Sequence, residues 1–158
     1  MRTFNVTVFF VGIFILSSGC QQLTDHNISD CVKTNQMLES NKKLVADMYQ
    51  ELFGDKNIEA INKYIADDYI QHNPSVADGK QALIDATRTW FRNSPKEKIN
   101  IQHIGADKDL VFIHLKSRSG SRYISVIDIF RIKAGKIAEH WDVMQEVPDK
   151  AANKHPMF

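Results

Sequence analysis

The order of hydrophobic patterns along the chain predicts an α+β fold, with helices packed on one face of a curved antiparallel sheet. Two observations carry this. Residues 41–95 repeat apolar side chains at three- and four-residue steps, the period of a helix. Residues 96–147 alternate or run continuously apolar, as strands do, and are broken by one tight-turn signal at Ala134-Gly135.

The first helix is predicted from Asn41, with Leu44, Val45, Met48, Tyr49, Leu52 and Phe53 on one stripe and Gly54 closing it. A short second helix carries Ile58, Ile61 and Ile65. The segment "DDYIQHNP" is a brief extended piece ended by Asn73-Pro74. A third helix starts near Gly79 and runs through Ala82, Leu83, Ala86 and Trp90 toward Pro95. Four strand-like runs follow. Ile99, Ile101 and His103 alternate with polar residues, "DLVFIHLKS" holds His114, "RYISVIDIFRI" holds Asp128, and "GKIAEHWDVMQ" comes last.

The termini are different in kind. "MRTFNVTVFFVGIFILSSGC" carries one basic residue, an apolar core from Val6 to Leu16, then small residues and Cys20. That core is short for a membrane span and fits a secretory signal over residues 1–19. Its end, "LSSGC", resembles a bacterial lipobox, in which the cysteine is lipidated and becomes the new N-terminus. The expectation is therefore an exported lipoprotein in the cell envelope, anchored through Cys20, with ordinary cleavage and a periplasmic or secreted product as the alternative. Residues 20–40 show no clear period and read as a tether, 41–147 as the domain, and 148–158 as a tail. Cys31 would then be an odd thiol in an oxidising compartment, unless it pairs with an unlipidated Cys20. The balance of 20 Lys+Arg against 19 Asp+Glu leaves no electrostatic footprint for nucleic acid.

The last two strands decide which side chains meet. "IKAGK" suits a three-residue hairpin loop with Gly135 left-handed, which sets Ile132 opposite Lys136, Asp128 opposite His140 and Val126 opposite Asp142. Alternation then collects Ala138, His140, Asp142 and Met144 on one face, and Ile137, Glu139, Trp141 and Val143 on the other. A two-residue loop would turn one strand over and part these groups. An ionised Asp128 between Ile127 and Ile129 needs a partner, for which His140 and His114 are candidates. The second apolar face, with Trp141, Ile127, Ile129 and Val143, predicts a homodimer.

"YIQHNP", the strand bearing His114 and "DIFRIKAGKIAEHWDVMQ", in this helix-then-sheet order, resemble the SnoaL-like branch of the nuclear transport factor 2-like superfamily over residues 41–147. The resemblance implies a cone-shaped roll, in which a strongly bent antiparallel sheet wraps three helices around a pocket for a small molecule. It implies cofactor-free acid/base chemistry on a carbonyl compound, of the aldol-cyclase, isomerase or dehydratase type. The acid/base of the family's His-x-Asp strand falls on Asp142. Where the family often has histidine on the preceding strand, this chain has Asp128. His140 and Asp128 would tune Asp142, while His72 at the pocket mouth and His114 mid-strand would contact substrate. The same five side chains suit a metal by type, but no tight ligand spacing supports one, and none is expected. The alternative to an enzyme is an envelope lipoprotein that binds an apolar small molecule without turning it over.

Overall fold

The computed structural model describes the backbone over residues 17–158 and side chains from residue 26. The signal expected over residues 1–19 lies almost wholly outside these. The chain divides into two compact units, one ending at Thr34 and one spanning Asn35–Phe158. Helix α1 covers Ser17–Met48, so the residues read as an irregular tether are helical. No described helix is long and apolar enough to cross a membrane.

In the second unit the predicted stripe forms as expected. Val45, Met48, Tyr49 and Leu52 are buried, but the last turn, Tyr49–Gly54, is a π-helix rather than an α-helix. A π turn widens the helix by one residue and is frequent at functional sites. Gly54 must be glycine here. A Cβ would stand 2.3 Å from the Gln50 amide nitrogen and 2.8 Å from the Glu97 carbonyl. Helix α2 is Ala60–Tyr64 and α3 is Lys80–Trp90. Ile65, expected on the second helix, instead opens a strand.

The strands are β1 (Ile65–Gln71), β2 (Ile101–Asp107), β3 (Leu110–Ser119), β4 (Arg122–Lys133) and β5 (Lys136–Glu146). They form one open sheet in the order β1-β5-β4-β3-β2. The expected α+β architecture is present, with one correction. Four strands are antiparallel, but β1 joins the edge of β5 in parallel. It reaches that edge from α2, on the other side of the chain's later hairpins, so its direction is not set by a tight turn.

Inward residues alternate cleanly. Val111, Ile113 and Leu115 of β3, and Val126, Phe130 and Ile132 of β4, join the helix stripe in one core. Burying each such side chain contributes about 1.5–3 kcal/mol.

The hairpin differs from the reading of its sequence. Lys133 pairs with Lys136 and Ile132 with Ile137, so the loop is the two residues Ala134 and Gly135. Both have positive φ, 50° and 72°, as a type I′ turn requires. The ladder then slips: Arg131 pairs with Glu139, which leaves Ala138 as a bulge. Asp128 thus faces Asp142 and Phe130 faces His140, in place of the expected Asp128–His140 and Val126–Asp142 pairs. The extra residue restores the alternation that the shorter loop would have inverted. Ile137, assigned to the outer face, is consequently fully buried in the core.

Candidate functional site

Asp128 is 3% exposed, on the helix-covered face of β4. Both of its oxygens are engaged. The Tyr49 hydroxyl donates to Oδ2, and His140 Nε2 lies 2.9 Å from Oδ1. Tyr49 is the first residue of the π turn, and that placement delivers its hydroxyl across the core to β4. Burial, and after it the Asp128 charge, pushes the Tyr49 hydroxyl well above the ordinary tyrosine range, so it stays a donor.

His140 is fixed from both sides. Its Nδ1 lies 2.9 Å from Gln71 Oε1, and its ring stacks on Phe130 at 4.8 Å. The same Gln71 oxygen accepts the backbone N–H of Asn73 at 3.0 Å, while Gln71 Nε2 donates to the Tyr69 hydroxyl at 3.0 Å. A backbone N–H can only donate, so the atom facing His140 is an acceptor and Nδ1 must carry a proton. Nε2 therefore shares one proton with Asp128. Either the pair is imidazolium and carboxylate, or it is neutral with the proton on Asp128.

Asp142 is held differently. Asn73 Nδ2 donates to its Oδ2 at 2.6 Å. The Ser75 backbone N–H donates to Asn73 Oδ1 at 2.7 Å, and this fixes the amide's orientation. Among the described residues Asp142 Oδ1 has no protein partner, and the residue is only half-buried. No buried side-chain nitrogen or oxygen lacks a hydrogen bond there.

The structure thus brings Asp128, His140 and Asp142 together, with one ligand-type atom of each within 4.8 Å of the others. A cation held by all three would have to displace the Asp128–His140 bond. His72 and His114 do not join them. His72 follows Gln71 on the alternating edge strand, so its ring lies on the outer face. There it stacks on Trp141 at 4.4 Å and bonds Glu139 at 3.2 Å. His114 alternates with the inward Ile113 and Leu115, and its neighbours are His103 and Ser125. Strand parity sets both rings on the face opposite Asp142.

Tyr49, Gln71 and Asn73 were missed in the sequence. Tyr49 passed as one more member of an apolar stripe, although its polar tip must find a partner when buried. Gln71 and Asn73 sit two apart on an extended segment. That spacing was a legible signal, since both face the side opposite His72.

A cavity of about 330 Å³ lies elsewhere, at the β4–β5 hairpin, lined by Asn62, Ile65, Asp67, Asp68, Lys133 and Lys136 among others. Its acids are already paired, Asp67 with Lys80 and Asp68 with Lys133. It offers open salt bridges rather than a poised group, and the Asp142 cluster is the better candidate on chemical grounds.

The comparisons with known proteins agree with this architecture. Among solved structures, TsrD from Streptomyces laurentii superposes with a TM-score of 0.57 at 19% identity, covering 67% of this chain and 88% of that one. An LEH-like epoxide hydrolase from M. tuberculosis gives 0.55 at 16%, covering 69% and 85%. An NTF-2 like protein of unknown function from Burkholderia xenovorans gives 0.59 at 14%, covering 72% and 89%. At these identities the likeness shows the fold. No curated protein matches. The family model of the SnoaL-like polyketide cyclases matches residues 43–152, most of the chain and all of the site built above. The chain belongs to the SnoaL-like polyketide cyclase family.

Proposed function

We propose that the chain is a cofactor-free enzyme acting on a small carbonyl compound, with Asp142 as its acid/base. One observation carries this reading. Among the described residues, Asp142 alone of the three clustered side chains keeps an oxygen without a protein partner, while Asn73 holds the other oxygen still. Such a carboxylate can take the proton beside a carbonyl. The Asn73 amide has a second N–H that can donate to the enolate oxygen as charge develops there. The carbanion then attacks a second carbonyl of the same molecule, one C–C bond forms, and Asp142 returns its proton to the new alkoxide. Each oxygen of Asp128 and each ring nitrogen of His140 already has a protein partner, so in this reading they orient and support Asp142 while Asp142 takes the proton.

The test is solvent deuterium exchange, followed by NMR, at the acidic C–H of neutral β-dicarbonyl compounds. Wild type should accelerate exchange, and Asp142→Asn should lose it while keeping the fold. Equal rates in both would overturn the role of Asp142. A ligand retained through purification with no exchange in either would favour the non-catalytic binder.

We also propose that the protein is exported and lipidated at Cys20, a reading supported by the order of charge, apolar core and "LSSGC". Mass spectrometry of the N-terminal peptide decides it, and an intact Met1 ends it. Pairing of two copies through the outer face is supported by the cross-strand neighbours Ile127–Val143 and Ile129–Trp141. Val143 is 71% and Ile127 40% exposed.

A further inference from the structure

On the outer face of the sheet, away from Asp142, three side chains form a line across three strands. His114 Nε2 lies 2.8 Å from Ser125 Oγ, and His114 Nδ1 lies 3.1 Å from His103 Nδ1. His103 and His114 are direct partners across β2 and β3. Strand alternation therefore holds the line, rather than loop geometry. A hydroxyl bonded to an imidazole, itself oriented by a third group, is the general arrangement of an activated nucleophile.

The proton count fits. Two Nδ1 atoms at hydrogen-bond distance hold one proton between them. When His114 Nδ1 carries it, the Nε2 of neutral His114 is a lone pair aimed at the serine O–H. His103 then plays the part that a carboxylate plays elsewhere, fixing the tautomer of the base. A cation stands beside the hydroxyl as well. Lys116 is the direct cross-strand partner of Ser125, and it takes part in none of the salt bridges among the described residues. Its ammonium lies over the Tyr123 ring at 4.5 Å and the Phe158 ring at 4.7 Å. Phe158 also packs against the His114 ring at 5.9 Å. Nucleophile, base, positive charge and two aromatic walls thus share one patch, with Ser125, His114 and Lys116 each half-buried and His103 exposed.

We propose that Ser125, His114 and His103 form a second reactive centre that accepts acyl groups from small aromatic esters, independent of the Asp142 site. Ser125 Oγ bonds to the acyl carbon as its proton passes to His114 Nε2. The ester C–O bond breaks, and the departing alcohol takes that proton. Water, deprotonated by the same imidazole, then releases the acid and restores the hydroxyl. Lys116, the cross-strand partner of Ser125, is the cation on hand for the oxyanion of each step. His103 is a positioning residue, since it reaches Ser125 through His114.

The probe is p-nitrophenyl acetate, used on the full chain at the lowest workable concentration so that pairing of copies through the neighbouring Ile127 does not cover the patch. A burst of nitrophenolate and an acetyl group on the peptide containing Ser125 are expected. Ser125→Ala should abolish the adduct, and Ser119→Ala, on the same strand pair, should not. His114→Gln should slow acylation by about 10²-fold or more, the usual share of general-base assistance. His103→Ala should shift the pH–rate profile of acylation, and His103→Asn, which keeps an amide near the lost Nδ1, should recover most of the rate. Acetylation of Lys116 or of scattered lysines, with Ser125→Ala unchanged, would overturn the proposal. So would an unaltered pH profile in His103→Ala together with an unaltered rate in His114→Gln.

Discussion

Asp128 and Asp142 face each other directly across β4 and β5, and the fold treats them in opposite ways. Asp128 is sealed, with Tyr49 on one oxygen and His140 on the other. Asp142 is tethered by one oxygen to Asn73 and keeps the second for solvent or substrate. Two like charges on adjacent strands are tolerable because one is neutralised by a shared imidazole proton.

Removing the Tyr49 hydroxyl should destabilise the protein without changing its shape. Tyr49→Phe leaves a buried carboxylate oxygen with one donor fewer, a loss of about 1–3 kcal/mol. Urea denaturation measures it. A midpoint equal to wild type would mean that Asp128 does not need this bond.

Alkaline pH should weaken the fold. Burial raises the Tyr49 and Tyr69 hydroxyls above their usual range, with the nearby Asp128 charge adding to it in both. An unfolded tyrosine releases its proton near pH ~10, whereas the folded ones still hold theirs. Above that point the unfolded state binds fewer protons, so stability must fall as pH rises until the folded groups also ionise. The contribution is complete below about pH 10. Denaturation curves collected from pH 8 to 11.5 should show this slope, and Tyr69→Phe should reduce it. A flat profile in wild type counts against it.

The tautomer of His140 follows from a chain of donors and acceptors. Asn73 N–H fixes Gln71 Oε1 as acceptor, and Gln71 Oε1 fixes the proton on Nδ1. Long-range proton–nitrogen NMR spectra should report protonated Nδ1 at neutral pH. Gln71→Leu should allow the other tautomer. A bare Nδ1 in wild type would contradict the network.

Ala134 sits at φ 50°, where a Cβ is crowded. A left-handed non-glycine residue costs roughly 1–2 kcal/mol, and asparagine suits this first position of a type I′ turn. Ala134→Asn should therefore raise the melting temperature, by about 2–4 °C per kcal/mol gained for a chain of this size. Thermal unfolding followed by circular dichroism would show it, and a lower value would mean that the turn relaxes in another way.

Replacing Trp141 by glutamate tests the outer face. Trp141→Glu should run as a monomer in sedimentation if copies pair there. Its ring is already flanked by His72 and by Arg131, whose guanidinium lies 5.7 Å from the ring centroid. Wild type sedimenting as a monomer at micromolar concentration would refute the pairing.

The helical stripe, the strand runs and the common parity of His140 and Asp142 were legible because each rests on a short period along the chain, whereas Asp128 shares their face only because the Ala138 bulge offsets the shorter loop. The partners of those groups were not. Tyr49 reaches Asp128 across 79 positions and Asn73 reaches Asp142 across 69, and no local pattern encodes such meetings. His72 and His114 misled because residue type suggested chemistry while parity, which depends on where each strand begins, sent them outward. The parallel edge strand escaped for a related reason, since nothing adjacent in the chain dictates its direction.

The β4–β5 hairpin works like a text carrying two compensating frameshifts. The short Ala134–Gly135 loop moves β5 out of frame, and Ala138 moves it back. Between those two points Ile137 is read toward the core, and beyond Ala138 the frame that presents His140 and Asp142 resumes. Loop and bulge are therefore a matched set. Exchanging the turn for another two-residue turn preserves the message, whereas a three-residue turn, or loss of Ala138 alone, would present Glu139 and Trp141 to the interior and turn the acid/base outward. Relatives that differ by one residue at this tip should carry the opposite change a few positions later.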